Sequence, residues 1–204
     1  MKRRRPDGAS QAGCVLVGIL AFVKGGLVDP AQARHYARVR HIRESFAEAN
    51  ERLVARLRRV EHAAAERAPG EGEWSAAQIG WHVAAVTKRF AAVVGGDVPG
   101  VPLPADFAER EWAAIVREIP ARLRASDAVA PPPHVTRDEA VAALEAAAVR
   151  LARALDRLTP ERALSTGITH PIVGGPINLY QVGEWAAAHV IRHNRQAKRT
   201  LGEG

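Results

Sequence analysis

From Asn178 to Leu201 the chain reads NLYQVGEWAAAHVIRHNRQAKRTL, in which Leu179, Val182, Ala186, His189, His193, Ala197 and Thr200 follow one another at steps of three and four residues. That spacing is one face of an α-helix, and a chain that carries it must bury the face against another element. Two members of the face are histidines, four residues apart, where leucines are expected. Side chains at i and i+4 stand one turn above the other, so both imidazoles point at the same partner. Such a pair is either two satisfied core residues or two ligands for one metal ion.

Three earlier stretches share the period. The first opens at Asp29-Pro30-Ala31-Gln32, an N-cap acid followed by proline at the first helical position. Its apolar positions are Val39, Ile42, Phe46, Ala49, Leu53, Leu57, Val60 and Ala64, and the helix should run to about Arg67, where Ala68-Pro69-Gly70 stops it. The second opens on a capping box, Ser75 with Gln78, and carries Ile79, Val83, Val86, Phe90 and Val93 before Gly95-Gly96 ends it. His82 borders this stripe on its core side. The third opens on another capping box, Thr136 with Glu139, and carries Val141, Leu144, Ala148, Leu151, Leu155 and Leu158. In the last stretch, Asn178 and Gln181 cap the start.

The pattern predicts an all-α chain, a four-helix bundle with a long connection between helices 2 and 3. Residues 97–135 make that connection, with a subsidiary helix from about Ala105 to Ile119 and an extended spacer at Pro131-Pro132-Pro133. A composition rich in Ala, Leu, Val, Arg and Glu, with only 5% aromatic residues, disfavours a β-sandwich or barrel. The other connection, Thr159 to Ile177, reads as a loop shaped by His170-Pro171 and Gly174-Gly175-Pro176, with His170 either rimming a site or, in the preferred reading, facing water. His35, His41, His62 and His134 read as surface residues because their neighbours are polar, basic or proline.

At 204 residues the chain has room for one substantial core. The expected division is a flexible or leader-like extension over residues 1–28 and a helical domain over 29–204. The extension pairs the basic run Lys2-Arg3-Arg4-Arg5 with ten apolar residues, Cys14 to Val23. Ten residues are half of what a helix needs to cross a bilayer. A signal peptide would begin similarly, yet the nearest A-x-A pattern, Ala31-Gln32-Ala33, falls inside the first helix, and Cys14 precedes the apolar run where a lipoprotein cysteine would follow it. The single cysteine forms no intramolecular disulfide and fits a reducing cytoplasm. Export or membrane contact through the basic-apolar start is the alternative. The net charge is +7; past the extension the arginines alternate with acids, as on solvated helix faces, with no basic stripe interleaved with aromatics. That argues against nucleic acid as a partner.

Two segments carry a family resemblance. EWSAAQIGWHVA, residues 73–84, resembles the second-helix signature of the DinB-like superfamily, a Trp-Ser start leading to a histidine; GPINLYQVGEWAAAHVIRHNRQ, residues 175–196, resembles its last helix, with HxxxH followed by a basic residue and Gln. The order of elements also matches, over roughly residues 30–202. The resemblance implies a four-helix bundle with a divalent metal held by His82, His189 and His193. It implies a small-molecule substrate and, by analogy with members that use bacillithiol, mycothiol or glutathione, a low-molecular-weight thiol as co-substrate. Homodimers are common among such proteins. The implied activity is thiol-dependent S-transfer to a small electrophile, with metal-dependent hydrolysis, or a non-catalytic metal-stabilised bundle acting in binding or assembly, as alternatives.

Three neutral imidazoles would leave a divalent ion its full charge and an open position, as in catalytic zinc sites. Zinc, nickel and iron all accept imidazole, so ligand type does not name the metal. No sharp candidate for a general base accompanies the histidines. Gln78, one turn before His82, and Asn194 and Gln196, beside His193, could orient a ligand. Glu184 reads as a solvated helix residue off the ligand face.

Overall fold

The computed structural model describes residues 22–23, 26–27, 29–118, 124–170 and 174–203. The chain is mostly helical, 65% helix against 7% strand, which meets the all-α expectation in its coarse form and adds a small sheet to it. In order, the elements are β1 (Phe22–Val23), β2 (Gly26–Leu27), α1 (Pro30–Arg59), α2 (His62–Glu66), α3 (Ala76–Gly95), β3 (Val101–Pro102), α4 (Trp112–Glu118), α5 (Arg137–Asp156), α6 (Pro160–Ser165), β4 (Thr166–His170), β5 (Gly175–Asn178) and α7 (Leu179–Thr200). The expected extension over residues 1–28 lies outside the described residues, apart from the short antiparallel pair of β1 and β2. No helix among the described residues is long and apolar enough to cross a membrane.

The caps read from the sequence are in place. Asp29 accepts from Ala31 N at the start of α1, Ser75 and Gln78 close a capping box on α3, Thr136 and Glu139 close one on α5, and Asn178 accepts from Gln181 N on α7. α1 ends earlier than expected. Val60 turns extended, and the residues beyond it form the separate turn of helix α2. The subsidiary helix is also shorter than expected, because residues 105–111 are not helical.

Side-chain pairs fix how the four long helices run. His35 meets Tyr180 and Arg56 meets Asn194, so α1 and α7 lie side by side in the same direction. The Cβ position of Gly80 lies against Ala140 and Leu144, and that of Gly95 against Ala154, so α3 and α5 are also parallel. Arg58 pairs with Glu145 and Arg43 with Asp156, so α5 runs antiparallel to α1. Parallel α3 and α5 require the chain to travel back the length of a helix between Gly95 and Arg137.

Small residues let α3 and α5 approach closely: Ala76, Ala77, Ala84 and Ala91 on one, Ala140, Ala147 and Ala154 on the other, all buried. α3 therefore buries two faces, one on α5 and one on α7. The expected single stripe is rotated as a result: Thr87, Ala91 and Val94 are buried, and Val86, Phe90 and Val93 only half-buried.

The connection read as a loop at Thr159–Ile177 instead holds α6 and a hairpin. β4 is the central strand of an antiparallel sheet, paired with β3 (Val101 opposite Gly167) and β5 (Ile168 opposite Ile177). This sheet holds Asn178 where it caps α7. At Gly167 a Cβ would lie 2.0 Å from the Ile177 carbonyl oxygen and 2.8 Å from Leu103 Cδ2. The nearer obstacle is backbone and cannot swing away. Gly167→Ala should therefore lower stability by about 2 kcal/mol or more in urea titrations, and an unchanged midpoint would show that the hairpin is not packed this way.

Candidate metal centre

His82 sits in the second turn of α3, while His189 and His193 sit a turn apart on α7. The antiparallel approach of α3 and α7 brings the three rings together. Ring centroids are 5.2 Å apart for His82 and His189, 4.9 Å for His82 and His193, and 4.4 Å for His189 and His193. One ring nitrogen from each lies within 4.8 Å of the other two, a grouping that could hold a metal ion. His82 and His193 are buried, and His189 is intermediate as a residue although its Nδ1 atom is shielded. The expected convergence of His82, His189 and His193 is thus what the structure shows; their ligation of a metal is taken up below.

Hydrogen bonds decide which nitrogens are available. The Val129 carbonyl accepts from His82 Nδ1 at 2.8 Å, which puts the proton on Nδ1 and leaves Nε2 with its lone pair. His193 Nδ1 donates to Gln196 Oε1 at 2.8 Å, with the same result. Metal-binding histidines are commonly held in this way by a partner on the second nitrogen. His189 Nδ1 is buried with no hydrogen-bond partner among the described residues. A buried acceptor or donor without a partner is costly, and a metal ion bound at that nitrogen would offset the cost. The donor set fits a divalent ion: three imidazoles, and no carboxylate or thiol joining the group among the described residues.

All three histidines are held neutral. Burial pushes His82 down, opposed in part by its bond to Val129. Burial, then the neighbouring His82, lowers His193 to about 4. His189 falls well below the usual value, through burial first and then His193, His82, Arg192 and His170. Neutral imidazole is the form that binds metal.

Several polar residues stand elsewhere than expected. Gln78 does not orient His82; its Oε1 accepts from Ser75 N and its Nε2 donates to the carbonyls of Pro132 and Pro133, docking the proline spacer onto α3. Asn194 accepts from Arg56, and only Gln196 touches a cluster histidine. Glu184 is no solvated residue: it accepts from Arg38 Nε and Trp112 Nε1, both at 2.7 Å. Arg38 also makes a two-pronged pair with Glu109, which accepts from Asn178 as well. Burial would raise the Glu109 carboxyl, but Arg38 and Asn178 outweigh it and hold it below the usual range.

Two histidines read as exposed are buried. His35 lies at 6% exposure, its Nδ1 2.7 Å from the Tyr180 hydroxyl, because parallel packing of α1 on α7 covers it. His170 lies at 4% exposure at the end of β4, its ring 4.0 Å from that of Trp185. His41, His62 and His134 are exposed, as read. Val129 contributes a backbone carbonyl, which no side-chain pattern could reveal. His170 ends a five-residue strand broken by Gly167, too short for alternation to show its buried face.

The chain is thus a mostly helical protein whose two long helices α3 and α7 bring together three histidines that could hold a metal ion. The chain is a member of the DinB superfamily, whose family model matches residues 45–197 and so takes in all three histidines. A search of curated proteins finds no match.

Proposed function

We propose that α1, α3, α5 and α7 form the four-helix bundle of a metal-dependent enzyme, with residues 29–204 as its domain and His82, His189 and His193 as ligands of one divalent ion. The reaction we assign is transfer of a low-molecular-weight thiol to a small electrophile. The observation that carries the reading is the pair of oriented rings, His82 on Val129 and His193 on Gln196, beside a His189 whose Nδ1 has no hydrogen-bond partner among the described residues. Bound there, a divalent ion supplies positive charge that favours thiolate over thiol and keeps an open position. The chain's own part is to hold three neutral nitrogens in place and to surround them with Trp74, 4.9 Å from His82, and other apolar groups that exclude water. Among the described residues no carboxylate acts on the three histidines, so the thiol proton passes to solvent or buffer; sulfur then bonds the electrophilic carbon as the leaving group departs with its electron pair.

A metal-stabilised bundle without catalysis is the second reading, favoured by the burial of the cluster and by the position of two surface grooves, of about 560 and 250 Å³, between α1 and α5 and away from the histidines. Elemental analysis of the purified chain, then a screen of glutathione, bacillithiol and mycothiol against a chloronitrobenzene, with an ester arm for hydrolysis, separates them. We expect one divalent ion per chain and thiol adduct formation lost in His189→Ala. Full metal loading with no turnover in any arm would leave the second reading, and no metal uptake would remove both.

A further inference from the structure

Aromatic residues are scarce in this chain, with 4 Trp, 2 Tyr and 4 Phe, yet several gather beside the histidine cluster. The His170 ring lies 4.0 Å from that of Trp185 and 6.4 Å from that of Phe90, and Trp112 lies 5.6 Å from Trp185. Trp185, His189 and His193 succeed one another every four residues on α7, and Phe90 stands two turns beyond His82 on α3. The aromatic group therefore continues the face on which the cluster lies, roughly 6 Å along α7 and roughly 12 Å along α3 by helical rise. His170 is not one of the three histidines that group as possible ligands.

We propose that Trp185, His170, Phe90 and Trp112 form a recognition subsite for a flat, uncharged aromatic or conjugated group of the substrate, one helical turn from the three-histidine cluster. The proposal rests on the metal-site reading given above.

Exposure is graded across the group: Trp185 and His170 are buried, while Phe90 and Trp112 are half-buried, so the patch runs from the interior to the surface. Its orientation is fixed in advance. Trp112 Nε1 donates to Glu184, and Glu184 is anchored by Arg38, so the indole is held without help from a ligand. Preorganised rings lose little freedom when a flat group stacks on them. Charge is absent from the patch itself. Burial pushes His170 down to about 4, leaving a neutral imidazole beside three carbon-rich rings. A charged substituent would be desolvated there beside Glu184 and Arg38, whose charges already pair with each other, so a neutral π-system is the group that fits.

The test uses the zinc-loaded full chain and three hydroxamates that share one metal-binding head: acetohydroxamate, 3-cyclohexylpropanohydroxamate and 3-phenylpropanohydroxamate, measured by titration calorimetry. We expect the phenyl probe to bind about tenfold more tightly than acetohydroxamate and several-fold more tightly than the cyclohexyl probe, in line with aromatic contacts beyond area burial. Phe90→Leu and Trp185→Leu should each remove most of the phenyl preference and leave acetohydroxamate within about twofold. Phe90 is half-buried, so its variant serves if Trp185→Leu fails to fold, as judged by circular dichroism. Equal affinities for the phenyl and cyclohexyl probes, or variants that weaken all three probes alike, overturn the subsite while leaving the metal site standing. A chain that takes up no zinc overturns the metal site and the subsite together.

Discussion

Zinc or nickel added to metal-stripped protein near pH 8 should raise its melting temperature by about 8–16 °C at a thousandfold excess over the dissociation constant. A ligand that binds only the folded form adds about 4 kcal/mol under that condition, and a chain of this size gains about 2–4 °C per kcal/mol. The His193→Ala variant should lose most of the shift, since one of three nitrogens is gone. Gln196→Ala should lose only a part. It removes the acceptor that fixes the His193 tautomer, which costs about tenfold in metal affinity, or about 1.4 kcal/mol. Acid acts on the same site by proton competition. Histidines titrating at their reference pKa of about 6.5 would already lose metal near pH 5. Here burial holds His193 at about 4 and keeps His189 well below its usual value, so the shift should persist at pH 5 and shrink as the pH nears the value of His193. Melting curves at pH 8, 5 and 4 measure this. Equal shifts in wild type and His193→Ala would refute the three-histidine site and the enzyme reading with it.

The three-histidine group was legible in the sequence because helical position and the DinB-like resemblance agreed. His189 and His193 share one face by spacing alone, and His82 borders the buried side of a helix whose capping box fixes its start. The helices themselves were legible for the same reason, since caps and period are local properties. What escaped the sequence depends on contacts between distant segments. The burial of His35 requires α1 to run parallel to α7, and nothing within either helix states that direction. The rotation of the buried face on α3 follows from alanines on α5 that let a second helix close in. Glu184 sits where a solvated residue would, and becomes an anchor only because Arg38 and Trp112 reach it from two other elements. Val129 offers a carbonyl, which every residue has, so its bond to His82 is a fact of tertiary structure alone.

The metal-free protein should lose much of its stability between pH 6.5 and pH 4, by an amount comparable to the total stability of a typical domain. The unfolded chain takes up protons on histidine near pH 6.5. In the folded chain burial lowers His170 and His193 to about 4, and His82 and His189 are lowered as well. Across that window the unfolded state binds more protons, so stability falls as pH falls. It is fully present above pH 6.5, and for His170 and His193 the loss is complete once the pH passes below about 4. Each of these two groups contributes about 2–3 kcal/mol to the loss, against a typical total of about 5–15 kcal/mol. His82 and His189 add in the same direction. Glu109, held low by Arg38 and Asn178, adds a further loss only below the usual carboxylate range, so the two effects separate on the pH axis. Urea titrations of stripped protein at half-unit steps would trace the curve. His170→Gln should flatten it between pH 6 and pH 4.5 without touching the metal-induced shift, because that side chain is not one of the three that group as ligands. A stability that stays level from pH 7 to pH 4.5 in the stripped wild type would mean that these histidines are not buried as neutral groups.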